Sequence, residues 1–573
     1  MSKNKKSTTP KSNSRPWALI VILALALILR LGYLSQVAQE SDFSNPYIDA
    51  AYHNVLARGM AFGDWTLPPE VNDPHFQTTP YFRGPGYPFL LALMYKFSGG
   101  SYWAPRIFQI GLGLLNLLLV FRLGRRLFSE RAGLIAAALM ATYWGMIYFE
   151  AELLAPIPVI SVLLLLLHYS LDLEKRTRFR DFLVLGLLFG FGALLRANIL
   201  LCVPIFLVWF WVLAQKKWPV GLRFLAPFGL GAALVILPVT WRNYAVSGEW
   251  VLISSNSGIN LYIGNNPEAD GYSAVIPDLN TLTGLEGWNS FDYDLIVQKL
   301  SLHEGRNLTH TQVSQFFSKK AKEFIFQNPG AFVKLCFRRL GLMIGPAEPH
   351  NNKMLELERE YHWILRYLPR FSLVFALSLF GVALWIYDTR RLKRSWLENR
   401  GMWLMFAWIF LYGGSYLPFF VTGRFRMPLL PFLMLIAGFG VDRALVLFRE
   451  NRAIFFKAAL PLMALFFAFA LIRWVPYKAD VPYWHYLRGS RFENQGKVQQ
   501  AIDEFQKALS LNANQSDALT KLGIIRYRQG QVGEAQKLWE RSIKVKPRQA
   551  QVLNNLAWTL AQQPNPTAED LQA

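Results

Sequence analysis

The sequence predicts an all-α protein in which a polytopic membrane bundle of about eleven spans, with extracytoplasmic loops, is followed by a C-terminal helical solenoid. Composition predicts the bundle, because 53% of the 573 residues are hydrophobic and only 17% are charged. The apolar residues gather in runs of roughly 20, the length that crosses a bilayer as a helix. After Trp474 the apolar runs give way to amphipathic helical spacing, which predicts the solenoid.

The formal net charge of +22 would indicate a nucleic-acid partner in a soluble protein. Here the basic residues lie between apolar runs, where Lys and Arg mark cytoplasmic loops, so membrane topology explains the charge better and no nucleic-acid partner is expected. The two cysteines, Cys202 and Cys336, lie in different apolar stretches and indicate neither a disulfide framework nor a metal site.

Eleven apolar stretches are the predicted spans, and together they define a membrane domain over 17–475. They are 17–37, 103–121, 132–149, 153–171, 182–196, 199–214, 222–240, 371–387, 402–420, 428–447 and 454–474. The first is expected to remain as an anchor, because its apolar run is long and no small-residue cleavage site follows it. The stretch 331–346 contains Lys334, Arg338 and Arg339 and is expected to be an interfacial amphipathic helix.

Basic loops alternate with acidic ones and predict the orientation. The basic tail 1–16 is expected in the cytoplasm, whereas 38–80 holds one basic and six acidic residues and is expected on the other side. The first outer loop (38–102), a long segment (241–370) and everything after Trp474 then share this outer side. The arrangement is compatible with a bacterial inner membrane, with the C-terminal part in the periplasm.

The region 483–563 repeats with a period of 34 residues, and a short tail (564–573) follows it. The positions that recur are Gly489, Gly523 and Ala557; Ala501 and Ala535; Phe505 and Trp539. This spacing of small and aromatic residues resembles the tetratricopeptide repeat, with two full units and the first helix of a third. An arbitrary helical hairpin is the alternative.

Candidate chemistry begins in the first outer loop. Asp49 follows the first span closely, and the loop continues to Arg83 and closes onto Arg106. A carboxylate suits a general base, and guanidinium groups suit a phosphate clamp, because each can hold two phosphate oxygens. Three neighbouring side chains are candidates for an acceptor or sugar pocket: Tyr52, His53 and Tyr81. The alternatives are that Asp49 caps a helix and that Arg83 snorkels to the interface.

Further charged residues stand near the outer ends of predicted spans, where charge is costly and usually paired or functional. Glu150 and Glu152 offer a second acidic site, and Arg196 a further cation. Arg424 and Arg426 lie on the outer side against the positive-inside trend, which favours an anionic ligand such as a lipid phosphate.

The order of these motifs resembles the C-type glycosyltransferases, specifically the protein O-mannosyltransferase and aminoarabinose transferase relatives that use polyprenyl-phosphate sugars. This resemblance rests on six sequence motifs in the order in which they occur. They are the Asp49 loop with Tyr52 and His53, Arg83-Gly84-Pro85-Gly86-Tyr87-Pro88 before Arg106, Gly124-Arg125-Arg126-Leu127-Phe128, Leu195-Arg196-Ala197-Asn198, Asn256–Asn266, and Arg424-Phe425-Arg426-Met427-Pro428. The resemblance implies Asp49 as the base and, less directly, an acidic role for Glu150 or Glu152.

Two departures from the family qualify what the resemblance implies. Arg83-Gly84-Pro85 replaces the Lys-Pro-Pro of the aminoarabinose branch, so neither sugar nor acceptor follows from that branch. An Asp-x-Asp metal pair is absent after Asp49. We therefore expect metal-independent inverting transfer of a hexose or pentose, with no cofactor beyond the polyprenyl-phosphate donor. Tetratricopeptide repeats follow the membrane part in some O-mannosyltransferases, which implies a protein acceptor or partner.

The sequence thus favours a membrane glycosyltransferase that acts on a hydroxyl of a lipid, glycan or protein. Two alternatives stay open. One is a polymerase, ligase or flippase of lipid-linked oligosaccharides; the other is a non-enzymatic, membrane-anchored repeat scaffold for envelope assembly.

Overall fold

The structure is a computed structural model that describes residues 16–68, 73, 75–283, 290–350, 352–393, 399–547 and 549–562. The predicted tail 564–573 and the predicted basic tail, apart from Pro16, lie outside the described residues. Within these ranges the chain is helical and contains no strand. The all-α class predicted from the sequence is confirmed.

Ten α-helices of the described chain precede the long outer segment or run into its start. They are α1 (Pro16–Val37), α2 (Asp49–Phe62), α3 (Gly86–Ser98), α4 (Trp103–Leu127), α5 (Glu130–Thr142), α6 (Trp144–Ala151), α7 (Pro156–Asp172), α8 (Phe179–Leu195), α9 (Val203–Leu213) and α10 (Trp218–Ser247).

The remaining helices build the long outer segment, the later membrane helices and the repeats. They are α11 (Ser257–Gly264), α12 (Leu279–Thr283), α13 (Tyr293–His303), α14 (His310–Gln327), α15 (Pro329–Ile344), α16 (Leu355–Tyr361), α17 (Trp363–Arg366), α18 (Phe371–Arg391), α19 (Arg400–Gly414), α20 (Gly423–Arg426), α21 (Leu430–Glu450), α22 (Arg452–Ile454), α23 (Leu460–Ala470), α24 (Val481–Asn494), α25 (Val498–Leu511), α26 (Ser516–Arg528), α27 (Val532–Val545) and α28 (Ala550–Ala561).

Six of the helical stretches are long and apolar enough to cross a membrane, and the bent pair α5–α6 makes up to seven. The chain is therefore a membrane protein. The other four predicted spans, 153–171, 182–196, 199–214 and 402–420, fall on α7, α8, α9 and α19, which are helices of 17, 17, 11 and 15 residues. The predicted count of eleven spans stays a prediction, because these helices are shorter than a straight crossing of a bilayer.

The stretch 331–346, predicted as an interfacial amphipathic helix, is the helix α15 and is not among the long apolar helices. Its Arg339 is fully buried and donates hydrogen bonds to the carbonyl oxygen of Leu417 (2.7 Å) and to the carbonyl oxygen of Gly264. One basic side chain of α15, Arg339, thus connects the end of α11 at Gly264 to the loop at Leu417.

The C-terminal helices α24–α28 pack one against the next along the chain, with α24 on α25 and α26 on α27 as the most extensive pairs. A Cβ added at Gly489 would lie 2.5 Å from the Phe505 ring, and one added at Gly523 would lie within 2.7 Å of the Trp539 ring. The period of 34 residues therefore places a glycine of one helix against an aromatic ring of the next in each unit. Close approach of this kind requires the absence of a side chain.

The repeats are docked on the side of the molecule that carries the first outer loop. Arg491 of α24 lies 3.0 Å from a Glu358 oxygen, 3.5 Å from Glu40 and 3.6 Å from Asp42. Trp484 of the same helix donates to Glu358 at 3.1 Å. The first outer loop, the long outer segment and the repeats thus meet in one charged cluster.

Candidate functional site

Asp49 stands at the first position of α2, directly after the first outer turn. The preceding residue, Ile48, has φ 53° and ψ −122°, a left-handed conformation that a β-branched side chain disfavours. Such strained residues persist where the surrounding structure fixes them, commonly at functional sites. The Asp49 residue is 3% exposed, so its carboxylate must find partners inside the protein.

Two arginines supply these partners, one for each carboxylate oxygen. Arg83 Nη2 lies 2.6 Å from Asp49 Oδ1, and Arg424 Nη1 donates to Oδ2 at 2.7 Å. Burial alone would raise the pKa of the Asp49 carboxyl, but the two guanidinium groups outweigh burial and hold this pKa well below its ordinary value. The predicted alternative, helix capping, is not what the carboxylate does here, because it is engaged by side chains.

Ser290 of the long outer segment completes this contact. Its hydroxyl accepts hydrogen bonds from Arg83 Nε (2.9 Å) and Nη2 (2.7 Å) and donates to Asp49 Oδ1 over 3.4 Å. Ser290 could not be predicted as a site residue from the sequence, because a single serine in a long loop belongs to no motif.

The turn Arg83-Gly84-Pro85-Gly86 rests on the end of α8. A Cβ at Gly84 would lie 2.5 Å from the Leu194 carbonyl oxygen, and one at Gly86 would lie 2.7 Å from the Leu194 carbonyl carbon. Both glycines are therefore required for the close approach, which brings Arg83 near the residue that follows α8, Arg196.

Arg196 is the third cation of this group. Its guanidinium lies over the Phe425 ring at 4.7 Å, and Arg424 lies over the same ring at 5.3 Å. In the described part of the chain the Arg196 side chain has neither a hydrogen bond nor an ion pair. Two arginines thus hold the Asp49 carboxylate, and Arg196 shares the Phe425 ring with one of them, so three positive charges stand beside one negative charge.

Two other arginines predicted to bind phosphate are occupied by protein groups. Arg426 donates to the Gly345 carbonyl (2.8 Å) and pairs with Glu348 at 2.7 Å. Burial raises the pKa of the Glu348 carboxyl to about 7 even though Arg426 opposes this. Arg106 donates to the carbonyl oxygens of Ala151 (2.8 Å) and Tyr102 (2.7 Å). Neither arginine contacts Asp49 in the described structure, and their phosphate-binding role stays a prediction.

The two glutamates predicted as a second acidic site separate. Glu150 pairs with Arg30 of α1, with 2.6 Å between Nε and Oε2, and both side chains are fully buried. Glu152 forms an ion pair with Lys353. The Lys353 Nζ atom lies 2.7 Å from Glu152 Oε1 and 2.6 Å from Asp42 Oδ2. Among the described residues neither glutamate contacts Asp49, so their catalytic role stays a prediction.

Lys353 and Arg491 are charged residues of this face that the sequence analysis missed. Lys353 is one of many basic residues in the segment 241–370, so nothing in the sequence singles it out, and the repeats carry no signal for Arg491. The pKa of the Asp42 carboxyl, which burial would raise, is held well below its ordinary value by Lys353 and Arg491. A cavity of about 20 Å³ beside Lys353, lined also by Ala50 and Arg106, has room for one water.

The predicted acceptor or sugar pocket residues lie along α2 and the adjoining loop. The Tyr52 ring contacts Phe76 (5.6 Å) and Phe291 (5.5 Å), and His53 packs edge-on against Tyr87 at 5.2 Å. Burial and the positive charge of Arg83 lower the pKa of His53 to about 3, against the opposing effect of Asp49. Arg242 covers the Tyr81 ring at 4.1 Å. These three residues remain candidates for a pocket wall.

Comparison with known proteins adds two family matches. Residues 82–241 match the family described as dolichyl-phosphate-mannose-protein mannosyltransferase, and residues 520–569 match the tetratricopeptide repeat. The predicted resemblance to this glycosyltransferase superfamily and the predicted repeats are confirmed over these residues. The first match includes Arg83, Glu150, Glu152 and Arg196, and it ends well before Arg424.

Among relatives, the undecaprenyl phosphate-alpha-4-amino-4-deoxy-L-arabinose arabinosyl transferase of Pseudomonas aeruginosa is 30% identical over 197 residues, which are 33% of this chain and 35% of that protein. A second such transferase, from Pseudomonas fluorescens, is 24% identical over 45% of this chain and 46% of that protein. The chain thus aligns with about a third to a half of these relatives.

Two solved structures are also similar. The oligosaccharyltransferase of Archaeoglobus fulgidus matches at TM-score 0.41 and 15% identity over 86% of this chain and 60% of that one. ArnT from Cupriavidus metallidurans bound to undecaprenyl phosphate matches at TM-score 0.33 and 15% identity, over 76% and 79% of the two chains.

Proposed function

We propose that this chain is a membrane glycosyltransferase that moves one sugar from a polyprenyl-phosphate donor to a hydroxyl of a lipid, glycan or protein. The observation that carries the proposal is the group formed by Asp49, Arg83, Arg424 and Arg196. Three guanidinium groups and one carboxylate form a centre with surplus positive charge, in which Asp49 and Arg424 are buried and Arg83 and Arg196 are partly exposed. The donor phosphodiester brings one negative charge and the departing lipid phosphate carries up to two, so the surplus positive charge matches the leaving group.

The donor phosphate would dock first on Arg196, because its guanidinium has no protein hydrogen bond to give up within the described chain. Arg83 and Arg424 can then exchange a carboxylate oxygen for a phosphate oxygen, since guanidinium groups bind both anions in the same planar geometry. As each arginine turns to the phosphate, the pKa of Asp49 rises, because the charges that lower it now act elsewhere.

The proposed reaction is a single displacement at the anomeric carbon of the donor sugar. The acceptor oxygen forms a bond to the anomeric carbon and loses its proton to Asp49, while the bond from the anomeric carbon to the phosphate oxygen breaks. The electron pair leaves with the lipid phosphate, whose charge the arginines stabilise. A single displacement inverts the anomeric configuration.

We extend the proposal to a reaction that needs no metal at Asp49 and no cofactor besides the donor. Arg83 and Arg424 place two positive charges directly on the oxygens of Asp49, which supports this proposal. The guanidinium groups supply the positive charge that a cation would contribute elsewhere.

For location we propose a bacterial inner membrane with the reaction on the periplasmic face. The first outer loop, the long outer segment and the repeats meet through Arg491, which supports placing all three in one compartment. The free surface of the repeats would serve a protein partner or a protein acceptor, as repeats of this kind do through their exposed grooves.

The test measures consumption of radiolabelled polyprenyl-phosphate monosaccharides by the purified chain, comparing wild type with Asp49→Asn. Removal of a positioned general base should slow turnover by about 10² to 10⁴. The matched control is Asp64→Asn, a more exposed carboxylate of the same loop that pairs with Arg58, and it should turn over like wild type. Equal turnover of Asp49→Asn and wild type would remove Asp49 from the mechanism.

The same assay separates the alternatives. If wild type consumes only lipid-linked oligosaccharides, the chain is a polymerase or ligase. If it consumes no donor at all while the repeats still bind an envelope protein, the chain is a scaffold.

A further inference from the structure

A second group of metal-ligating side chains lies apart from Asp49, where the first outer loop meets the long outer segment. The loop supplies Asp73 and His75, and the segment supplies Asp294. One ligand atom from each of the three lies within 4.8 Å of the others. His75 Nδ1 is 3.2 Å from Asp294 Oδ2, although the two residues are 219 positions apart in the chain.

Both oxygens of Asp294 have further partners. His310 Nε2 lies 3.4 Å from Asp294 Oδ1, and Gln298 Nε2 donates to Oδ2 at 2.7 Å. Asp73 in turn accepts the backbone N–H of His75 at 3.0 Å. These contacts fix the direction of both carboxylates, which is the function of the outer partners around a bound metal.

Charge distinguishes this group from the other carboxylate–histidine cluster of the outer face. In that cluster, Glu40, Glu358 and His362, the positive charge comes from Arg491. In the described structure no Lys or Arg pairs with Asp73 or Asp294. Among the described residues the ion-pairing partners of these two carboxylates are imidazole groups, an arrangement that a divalent cation would neutralise.

We propose that Asp73, His75 and Asp294 bind a divalent transition-metal ion, with Zn²⁺ as the best match, and that this ion joins the first outer loop to the long outer segment. One imidazole nitrogen and two carboxylate oxygens are ligands that Zn²⁺ accepts at about 2.0–2.2 Å, and three protein ligands leave one position for water. The His75 side chain is 58% exposed, so the ion could enter from solvent.

The joined segments bear directly on the Asp49 centre. Phe76, next to His75, packs against Phe291 at 5.8 Å, and both rings contact Tyr52 of α2. Ser290, beside Phe291, is the residue that contacts Asp49 and Arg83. A metal here would hold Ser290 in place, so its role is to position the centre and not to react.

The test does not depend on any catalytic activity. The full chain is purified in detergent through a tag without histidine, incubated with Zn²⁺ and dialysed, and bound metal is counted by mass spectrometry. We expect about one Zn²⁺ per chain in wild type and loss of it in His75→Ala. His303→Ala, which removes an exposed histidine of α13, should keep the metal.

Thermal unfolding gives a second readout that a misfolded variant would not mimic. Chelation with EDTA should lower the Tm of wild type by a few degrees and added Zn²⁺ should restore it, while His75→Ala should respond to neither and match EDTA-treated wild type. Wild type that retains no Zn²⁺, or His75→Ala that retains as much as wild type, would overturn the proposal and leave a hydrogen-bonded cluster only.

Discussion

Asp49 and Arg424, which are 375 positions apart in the chain, form a buried ion pair with 2.7 Å between Oδ2 and Nη1. The contact joins the start of the first outer loop to the short helix α20 that precedes α21. Because Arg83 holds the other oxygen of Asp49, the carboxylate orients two cations at once. Removing it would take the counter-charge from both arginines and leave Arg83 with Ser290, whereas removing one arginine leaves the carboxylate with a partner.

The first prediction concerns coupling between these residues. If they act as one unit on the donor phosphate, Arg424→Gln and Asp49→Asn should each lower kcat/KM by about 10² or more, and the double variant should lose far less than the product of the two losses. Steady-state kinetics on the three proteins measures this. Losses that multiply would mean that the two side chains act independently.

The second prediction concerns Arg196, whose guanidinium lies on Phe425 without an ion pair within the described residues. Arg196→Gln should raise the KM for the donor by about tenfold, because a hydrogen bond to a charged group contributes about 1.5–3 kcal/mol. The Tm should stay near wild type, since no protein contact of the guanidinium beyond the ring is lost. Arg306→Gln, an exposed arginine of the long outer segment, is the control. An unchanged KM would remove Arg196 from the phosphate site.

The third prediction separates a structural glutamate from a catalytic one. Glu150→Gln leaves Arg30 buried without its counter-charge, which should lower stability by about 3–5 kcal/mol. The double variant Arg30→Gln/Glu150→Gln should recover part of this loss, because no uncompensated charge remains. Thermal unfolding in detergent measures both. A Glu150→Gln protein with normal Tm and lost turnover would favour the catalytic role predicted from the sequence.

The fourth prediction is a pH dependence. Burial lowers the pKa of His53 from 6.5 to about 3, so the unfolded chain binds a proton that the folded chain does not. Stability from this residue is present above pH 6.5 and falls as pH drops toward 3, with a slope that approaches about 1.4 kcal/mol per pH unit. His53→Gln should flatten the curve of Tm against pH in this range, and His303→Gln should not. If the slope of Tm against pH is the same in His53→Gln and in wild type, His53 has the same pKa in the folded and the unfolded chain.

The fifth prediction concerns the docking of the repeats. Arg491→Gln leaves Glu40, Asp42 and Glu358 near one another without their shared cation, and like charges in a buried cluster repel. We expect the connection between α23 and α24 to become sensitive to protease. Arg528→Gln removes a 69% exposed side chain from the same repeats. This variant should be cleaved by the protease at the same rate as wild type. Equal resistance of both variants would show that other contacts hold α24.

The sequence was sufficient for those features that depend on composition or period. Apolar runs predicted the helices, and the recurrence of Gly489 and Gly523 with Phe505 and Trp539 predicted packed repeats, because each glycine accepts the ring of its own unit. Asp49 and Arg83 were predicted together because both stand in one loop. The number of membrane crossings did not follow, since α7 and α8 have only 17 residues and α9 and α19 have 11 and 15, fewer than the roughly 20 of a straight crossing.

The partners of individual charges could not be predicted, because they depend on three-dimensional proximity. Arg424 and Arg426 were predicted as one phosphate site, yet Arg424 reaches Asp49 and Arg426 reaches Glu348. Residues two apart on a helix do not face each other. Glu150 and Glu152 separate because α6 ends between them, at Ala151, and Glu152 has an extended backbone; they pair with Arg30 and Lys353.

The contact between Arg491 and the first outer loop also bears on the order in which the molecule matures. Synthesis proceeds from the N-terminus, so Glu40 and Asp42 leave the ribosome long before the cation that completes their cluster. The loop that begins at these residues carries Asp49 itself, only seven positions after Asp42. The membrane domain therefore acquires its final charge balance at this cluster only when α24 has been synthesised and has folded onto it. A chain cut short before α24 would present these carboxylates incompletely paired, a difference that quality-control proteases could recognise.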